Sequence, residues 1–543
     1  MRRKSSSRIQ PVLWAGFFVL MVAPSAWATC VDCHQPHQLD ESDPHAFLAS
    51  QCQTCHLGNP EATAPEQAHD GLVVHPGWLN NAEQTCGTCH ATETEHVMQG
   101  LMHSGKGMVN VTRFTLGEQE RPDQGNGRLD SIGHSPADSI LRKHCASCHL
   151  GQPQHQMTTE DPIGSRGGGC LACHAPHETQ RGTGHIALSA TVSDQSCSGC
   201  HSRSGRIALN YAGLAEVDAH VLDENHPNPL GYLPDGRLVE SIHSDIHHQA
   251  GLSCIDCHTT RDVMGPTGHF SHGSDAVDIQ CADCHDNQNE RITETDWPDD
   301  LRGQLGRLPF APSAERQFLT TARRGTPLWH IELKADGSKI LHRKVNGGRL
   351  PIPPLTQASH PDNGYHDRLT CSTCHTQWAP QCHGCHMDYD PDQMQFDHVA
   401  REFTPGSWSD QRWGVFNDAP PMGVDSEGRI VTFVPGMIRT IDHPDWAETQ
   451  FRRYFAPLSP HTVGKARSCE DCHRSSQALG LGRGQLSHDG TQWSFEPDQE
   501  HLQDGLPADA FTDLSGHGGQ TTRHGARALT PAEIQRVLNA LPL

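Results

Sequence analysis

All 22 cysteines of this chain fall into one pattern. The stretch 371–386, "CSTCHTQWAPQCHGCH", shows it twice, and nine further copies begin at Cys30, Cys52, Cys86, Cys145, Cys170, Cys197, Cys254, Cys281 and Cys469. Each copy reads Cys-x-x-Cys-His, so eleven copies exhaust the thiols. Nothing is left for a disulfide framework, a catalytic thiol or a further zinc ligand. One isolated copy admits three chemistries: half a zinc site, a redox dithiol, or attachment of a porphyrin through two thioethers. Neither of the first two gives a reason for a histidine after every second cysteine.

The third does. Two thiols three residues apart lie on one side of a helical turn and reach the two vinyl groups of a haem, and the next residue sets its imidazole under the iron. The pattern therefore predicts eleven covalent c-type haems. Their anchors are Cys30 and Cys33, Cys52 and Cys55, Cys86 and Cys89, Cys145 and Cys148, Cys170 and Cys173, and Cys197 and Cys200. The series continues with Cys254 and Cys257, Cys281 and Cys284, Cys371 and Cys374, Cys382 and Cys385, and Cys469 and Cys472. The proximal iron ligands are His34, His56, His90, His149, His174, His201, His258, His285, His375, His386 and His473.

Of 41 histidines, eleven close a motif and 30 remain, enough for a second axial histidine at every iron. Several precede a motif by five to twelve residues: His45, His75, His134, His185, His247, His272, His366 and His461. His37 and His177 follow their own motifs as CHxxH, and His69 and His398 complete the candidates. His383, inside a motif, reads as exposed and not ligating; Met102 and Met108 read as packing or as one alternative ligand. His375 and His386 are eleven residues apart, within about 40 Å even if fully extended. That spacing predicts a close pair of haems over 371–386.

Residues 1–28 have the form of a secretory signal, with Arg2, Arg3, Lys4 and Arg8 ahead of the apolar run Val12–Val22 and Ala26-Trp27-Ala28 as the cleavage site. No later segment is long and apolar enough to span a bilayer, so no integral membrane segment is expected in the mature chain. Removing four positive charges and no negative ones moves the net charge from −23 to −27. That balance excludes nucleic acid and favours redox partners, donors or acceptors, with basic docking patches. Periplasmic localisation is expected, with the cell surface or the medium as the alternative.

Hydrophobic residues make up 35%, with 51 glycines and 37 prolines, a composition poor in core material unless the haems supply the core. The expected fold is mainly α with many loops, an array of short helices around stacked haems with minor β-hairpin insertions. Eight motifs occupy a haem-binding region, 29–285. A haem-free insertion, 286–370, carries hairpin turns at Asp336-Gly337 and Asn346-Gly347. The pair at 371–386 precedes a second haem-free insertion, 387–468, with a turn near Glu427-Gly428. The last haem and a terminal helix fill 469–543. Thr530, Pro531 and Glu533 start that helix as a capping box, and Ile534, Val537, Leu538 and Leu541 form its apolar stripe.

On these motifs, and on phrases such as "SPADSILRKHCASCHLG", "CHSRSGRIALNYAGL" and "CEDCHRSSQALGLG", the chain resembles the multihaem c-type cytochromes of bacteria that respire on periplasmic or external acceptors. The resemblance spans 30–473 and implies electron transfer through an undecahaem chain. The same family includes reductases of nitrite, hydroxylamine or sulfur oxyanions, and subunits of cytochrome filaments. Reductases often show a CxxCK motif or widened cysteine spacing, and neither is present. Tyr389 is the tyrosine nearest the 371–386 pair. The expectation is therefore a carrier and not an enzyme, with reductase and filament subunit (a possible oligomer) as alternatives.

Overall fold

A computed structural model describes residues 30–34, 43–154, 166–175, 185–203, 207–217, 226–265, 270–286, 289–309, 317–356, 360, 364–411 and 414–542. Residues 1–28, read above as a secretory signal, and His37 and His177 lie outside these.

Local chemistry sets the motif conformations. Ten motifs form or adjoin a single helical turn, as at Cys30–Cys33, Gln53–His56, Leu171–His174, Cys254–Cys257, Cys281–His285, Cys371–His375 and Cys469–His473. Polar side chains start several of them. Ser253 with Asp256, Gln280 with Asp283 and Ser468 with Asp471 make reciprocal capping boxes, which satisfy the free N–H groups of so short a helix. Most of these turns bury few side chains of their own, and the turns at 30, 53, 171 and 469 bury none. They line a cavity of about 4690 Å³, to which the first nine motifs all contribute. Ordinary ligand pockets are about 300–1,000 Å³.

The C-terminal part is built differently. Its centre is a seven-stranded mixed sheet of β1 (Cys385–Asp397), β2 (Glu402–Gln411), β3 (Met422–Val424), β4 (Ile430–Asp442), β5 (Gln450–Pro457), β6 (Gln520–Thr521) and β7 (Arg527–Ala528). The path runs β2-β1-β4-β3-β7, with β5 on β4 and β6 on β5. β1 and β4 pair in parallel, Cys385 opposite Arg439 and Asp388 opposite Asp442. Phe433, Ile438, Phe455 and Phe511 make one side-chain core of this part. Met422, Val424, Leu479, Leu481, Ile534 and Leu538 make another.

The fold-class expectation is thus corrected. The chain is 29% helical and 24% strand, with several sheets, and is not mainly α. Segments such as "IVTFVPGMIRTID" and "QFRRYFAP" are rich in β-branched and aromatic residues and propagate far beyond the hairpins that mark them. The hairpins themselves form where their turn residues predict. Gly337, Gly347 and Gly428 take φ of 82°, 68° and 81°, between strands that pair antiparallel. The C-terminal helix Pro531–Leu538 carries the expected capping box and buries Ile534 and Leu538. Among the described residues no helix is long and apolar enough to cross a membrane.

Candidate functional site

Seven motif histidines each face one histidine from elsewhere in the chain. The pairs are His34–His69 (ring centres 5.9 Å apart), His90–His45 (6.1 Å), His56–His185 (6.1 Å) and His285–His247 (6.2 Å). The others are His258–His461 (6.3 Å), His375–His360 (6.1 Å) and His473–His366 (6.3 Å). The separation barely varies, whereas the interplanar angle runs from 15° to 84°. Stacking would hold the angle. Ligation along a common axis holds the distance and leaves rotation about it free. A metal–imidazole bond of about 2.0–2.1 Å on each side, plus roughly 1.1 Å from each nitrogen to its ring centre, gives about 6 Å.

The hydrogen bonds around these rings select the nitrogen that faces inward. Nδ1 donates to a backbone carbonyl in His56 (Val73, 2.8 Å), His285 (Pro353, 2.8 Å), His375 (Gly464, 2.9 Å) and His473 (Val537, 2.6 Å). Among the facing rings, His461 Nδ1 donates to Ser459 at 2.9 Å and His185 Nδ1 to Ile186 at 3.0 Å. His247 Nδ1 donates to the Asp245 carboxylate at 2.9 Å. A ring protonated on Nδ1 presents the Nε2 lone pair, the tautomer an axial ligand needs, and the carbonyl raises its basicity. The residues present fit a bis-histidine haem at these seven motifs.

The remaining four differ. His149 lies nearly parallel to His103, ring centres 5.1 Å apart and planes 13° apart, with its Nε2 against the His103 carbonyl. Burial and the neighbouring His149 push His103 down to about 4, and burial lowers His149 as well. His174 donates from Nδ1 to Ser189 at 2.9 Å, and His201, an exposed residue, lies near His258. The motif at Cys382 departs furthest. It is spread over strands, Ala379–His383 and β1, joined at Gly384 with φ of 69°. Successive strand residues face opposite sides, so Cys385 is buried while His386 turns away from it toward solvent. His386 Nε2 meets Asp388 at 3.1 Å and Asp442 at 3.4 Å. Their ligand atoms all lie within 4.8 Å of one another. The fit that holds at the seven pairs does not hold at this motif.

Of the candidate second ligands, His45, His69, His185, His247, His366 and His461 face motif histidines. His134 is exposed, His272 is buried beside Gly107, and His398 packs on Phe396. His75 stacks on Trp78, and His383 is buried beside Phe416 instead of exposed. The residues missed are His360 and His103. His360 precedes its motif by eleven residues and satisfies the same spacing rule as His366; nothing in the local sequence singles out His103.

The motifs also touch one another. Thiols of Cys30 and Cys52, Cys86 and Cys170, Cys148 and Cys200, Cys197 and Cys254, and Cys281 and Cys371 are hydrogen-bond neighbours. The Cys170 pairing lowers the Cys86 thiol to about 6 and raises Cys170. Compared with family models, curated proteins and solved structures, the chain matches none.

Proposed function

We propose that this chain is a multihaem c-type cytochrome that carries electrons in anaerobic or extracellular respiration. The observation that carries the reading is the set of seven His–His pairs at 5.9–6.3 Å, each joining one motif histidine to one from outside the motifs. Haem held there supplies an iron that alternates between ferrous and ferric states, one electron at a time. The chain's own work would be to anchor through paired thiols, to set a second histidine against each of seven motif histidines, and to keep nine motifs on one cavity. The acidic surface, −27 after loss of residues 1–28, suits donors and acceptors with basic patches, reached after export to the periplasm or beyond.

Two measurements test this on the mature protein. Intact mass should exceed the polypeptide by the mass of its covalent haems, eleven if the motif at Cys382 is loaded. Electron paramagnetic resonance of the oxidised form should be dominated by low-spin ferric signals. A protein without covalent haem, or with mostly high-spin iron, would overturn the reading.

One observation favours a second reading. His386 meets two carboxylates in place of a histidine, which leaves room for a reductase of nitrite, hydroxylamine or a sulfur oxyanion at that motif. Turnover of any of these by purified protein at enzymatic rates would replace the carrier by the enzyme.

A further inference from the structure

We infer that the electron route is branched and does not follow the order of motifs in the sequence: nine motifs form one line, and the motif at Cys145 opens a side arm. This rests on the haem reading above, but its evidence is separate, because it comes from contacts between motifs and not from the ligand pairs alone.

The line can be traced through hydrogen bonds and shared loops. The segment 69–73 joins the first two motifs, with His69 facing His34 while Val73 N–H donates to the His56 carbonyl at 2.7 Å. Asp43 joins the second and third. It caps His45, which faces His90, and accepts from Leu188 N–H at 2.7 Å on the loop whose His185 faces His56. The third motif then contacts the fifth, skipping the fourth: Cys170 N–H donates to Gly77 at 2.8 Å, beside the Pro76 carbonyl that accepts from Cys86. Ser196 Oγ donates to the Cys173 carbonyl at 3.4 Å, and Cys254 N–H to Asp194 at 2.9 Å, joining the motifs at 170, 197 and 254. His247, on the helix leading into the motif at 254, faces His285 of the next. Cys281 and Cys371 meet thiol to thiol. Finally, Arg467 N–H donates to the Cys374 carbonyl at 2.8 Å, which sets the last motif against the ninth.

The fourth motif stands beside this line. Its Cys148 meets Cys200, while Arg166 N–H donates to Ser147 and Gly169 N–H to Leu150, so it touches the motifs at 170 and 197. Its other side rests on the sheet. Arg142 pairs with Asp397, and Lys143 Nζ donates to Gln395 and Thr404. His144, next to Cys145, is half-buried near Asp410 and Arg439, which stand opposite Met387 and Cys385 of β1. The side arm therefore points at the motif at Cys382.

That motif is remote from its neighbour in sequence. Thr373 of the ninth motif bonds Ile430 at one end of β4, whereas Cys385 pairs with Arg439 nine residues further along, about 30 Å of strand. The motif at Cys382 therefore adjoins the fourth motif and not the ninth.

Iron positions decide this. Anomalous diffraction from crystals of the mature holoprotein, or a cryo-EM map, should place the iron of the fourth motif nearest those of the fifth and sixth, with the third and fifth adjacent. The ninth should neighbour the eighth and eleventh. Any iron at Cys382 should lie closer to the fourth than to the ninth. An iron of the fourth motif lying between the third and fifth, or irons nine and ten as nearest neighbours, would overturn the branch while leaving the carrier reading intact. A protein whose intact mass carries no haem would remove both.

Discussion

His461 stands eight residues before the last motif, yet its ring faces His258, some 200 residues earlier. Proximity in the chain therefore locates second ligands without assigning them. Most candidates found by spacing face a motif other than the next one, because the short stretch between a candidate and its own motif seldom brings its ring across from that motif's histidine. Substituting His461→Ala is expected to leave the haem count by mass unchanged and convert one low-spin centre to high spin. Added imidazole should restore it, and an unchanged spectrum would remove His461 from the ligand set. A second residue-scale prediction concerns Glu533, which accepts from Thr530 N–H and pairs with Arg527. The Arg527 bond lowers its carboxyl to about 2, below the usual value of about 4.3. Its contribution is then complete above about pH 4.3 and lost as pH falls toward 2. Glu533→Gln should cost about 1 kcal/mol near neutrality and flatten that acid limb, read from unfolding midpoints against pH.

Elements meet at the junction of the fourth motif and the sheet. Arg142 reaches Asp397 with Nη1 3.1 Å from Oδ2, and Asp397 is 2% exposed, so this is a buried ion pair joining parts 255 residues apart. Arg142→Ala leaves that carboxylate to the N–H groups of Val399 and Ala400. It is expected to destabilise by about 3 kcal/mol and to speed amide exchange in β1 and β2, with Asp397→Asn recovering part of the loss. Exchange unchanged outside the noise would show that the two parts do not depend on this contact. At this scale the hairpins at Gly337, Gly347 and Gly428 were legible, since two residues set the turn. The sheet was not. β4 reads locally as one arm of a hairpin, and only its partners β1 and β5, met far along the chain, make it central. The expected close pair at 371–386 is drawn out for the same reason, because residues 379–397 are extended to pair with strands beyond them.

As a whole the molecule has two kinds of interior. The sheet part is held by Phe433, Phe455, Phe511, Leu479 and Leu481, all at most 1% exposed. Much of the motif-rich part surrounds the 4690 Å³ cavity. Chain produced without haem attachment should therefore lose the N-terminal part first. Limited proteolysis is expected to leave a resistant fragment within 371–542 and digest 30–265; uniform resistance would mean that side chains alone suffice. The net charge of −23 adds that association with a basic redox partner should slow as salt rises, mainly through the on-rate.

By itself the sequence determined what is covalent or strictly local: eleven identical motifs with no spare thiol, a surplus of histidine, the turn glycines and the capped last helix. These depend on residues within a few positions of one another, so spacing suffices to read them. The tertiary structure alone decided which histidine faces which motif, that the third motif adjoins the fifth, and that the tenth lies in a strand with His386 against two carboxylates. Each of those depends on segments tens to hundreds of residues apart meeting in space, and the pattern within a segment does not encode its distant partner.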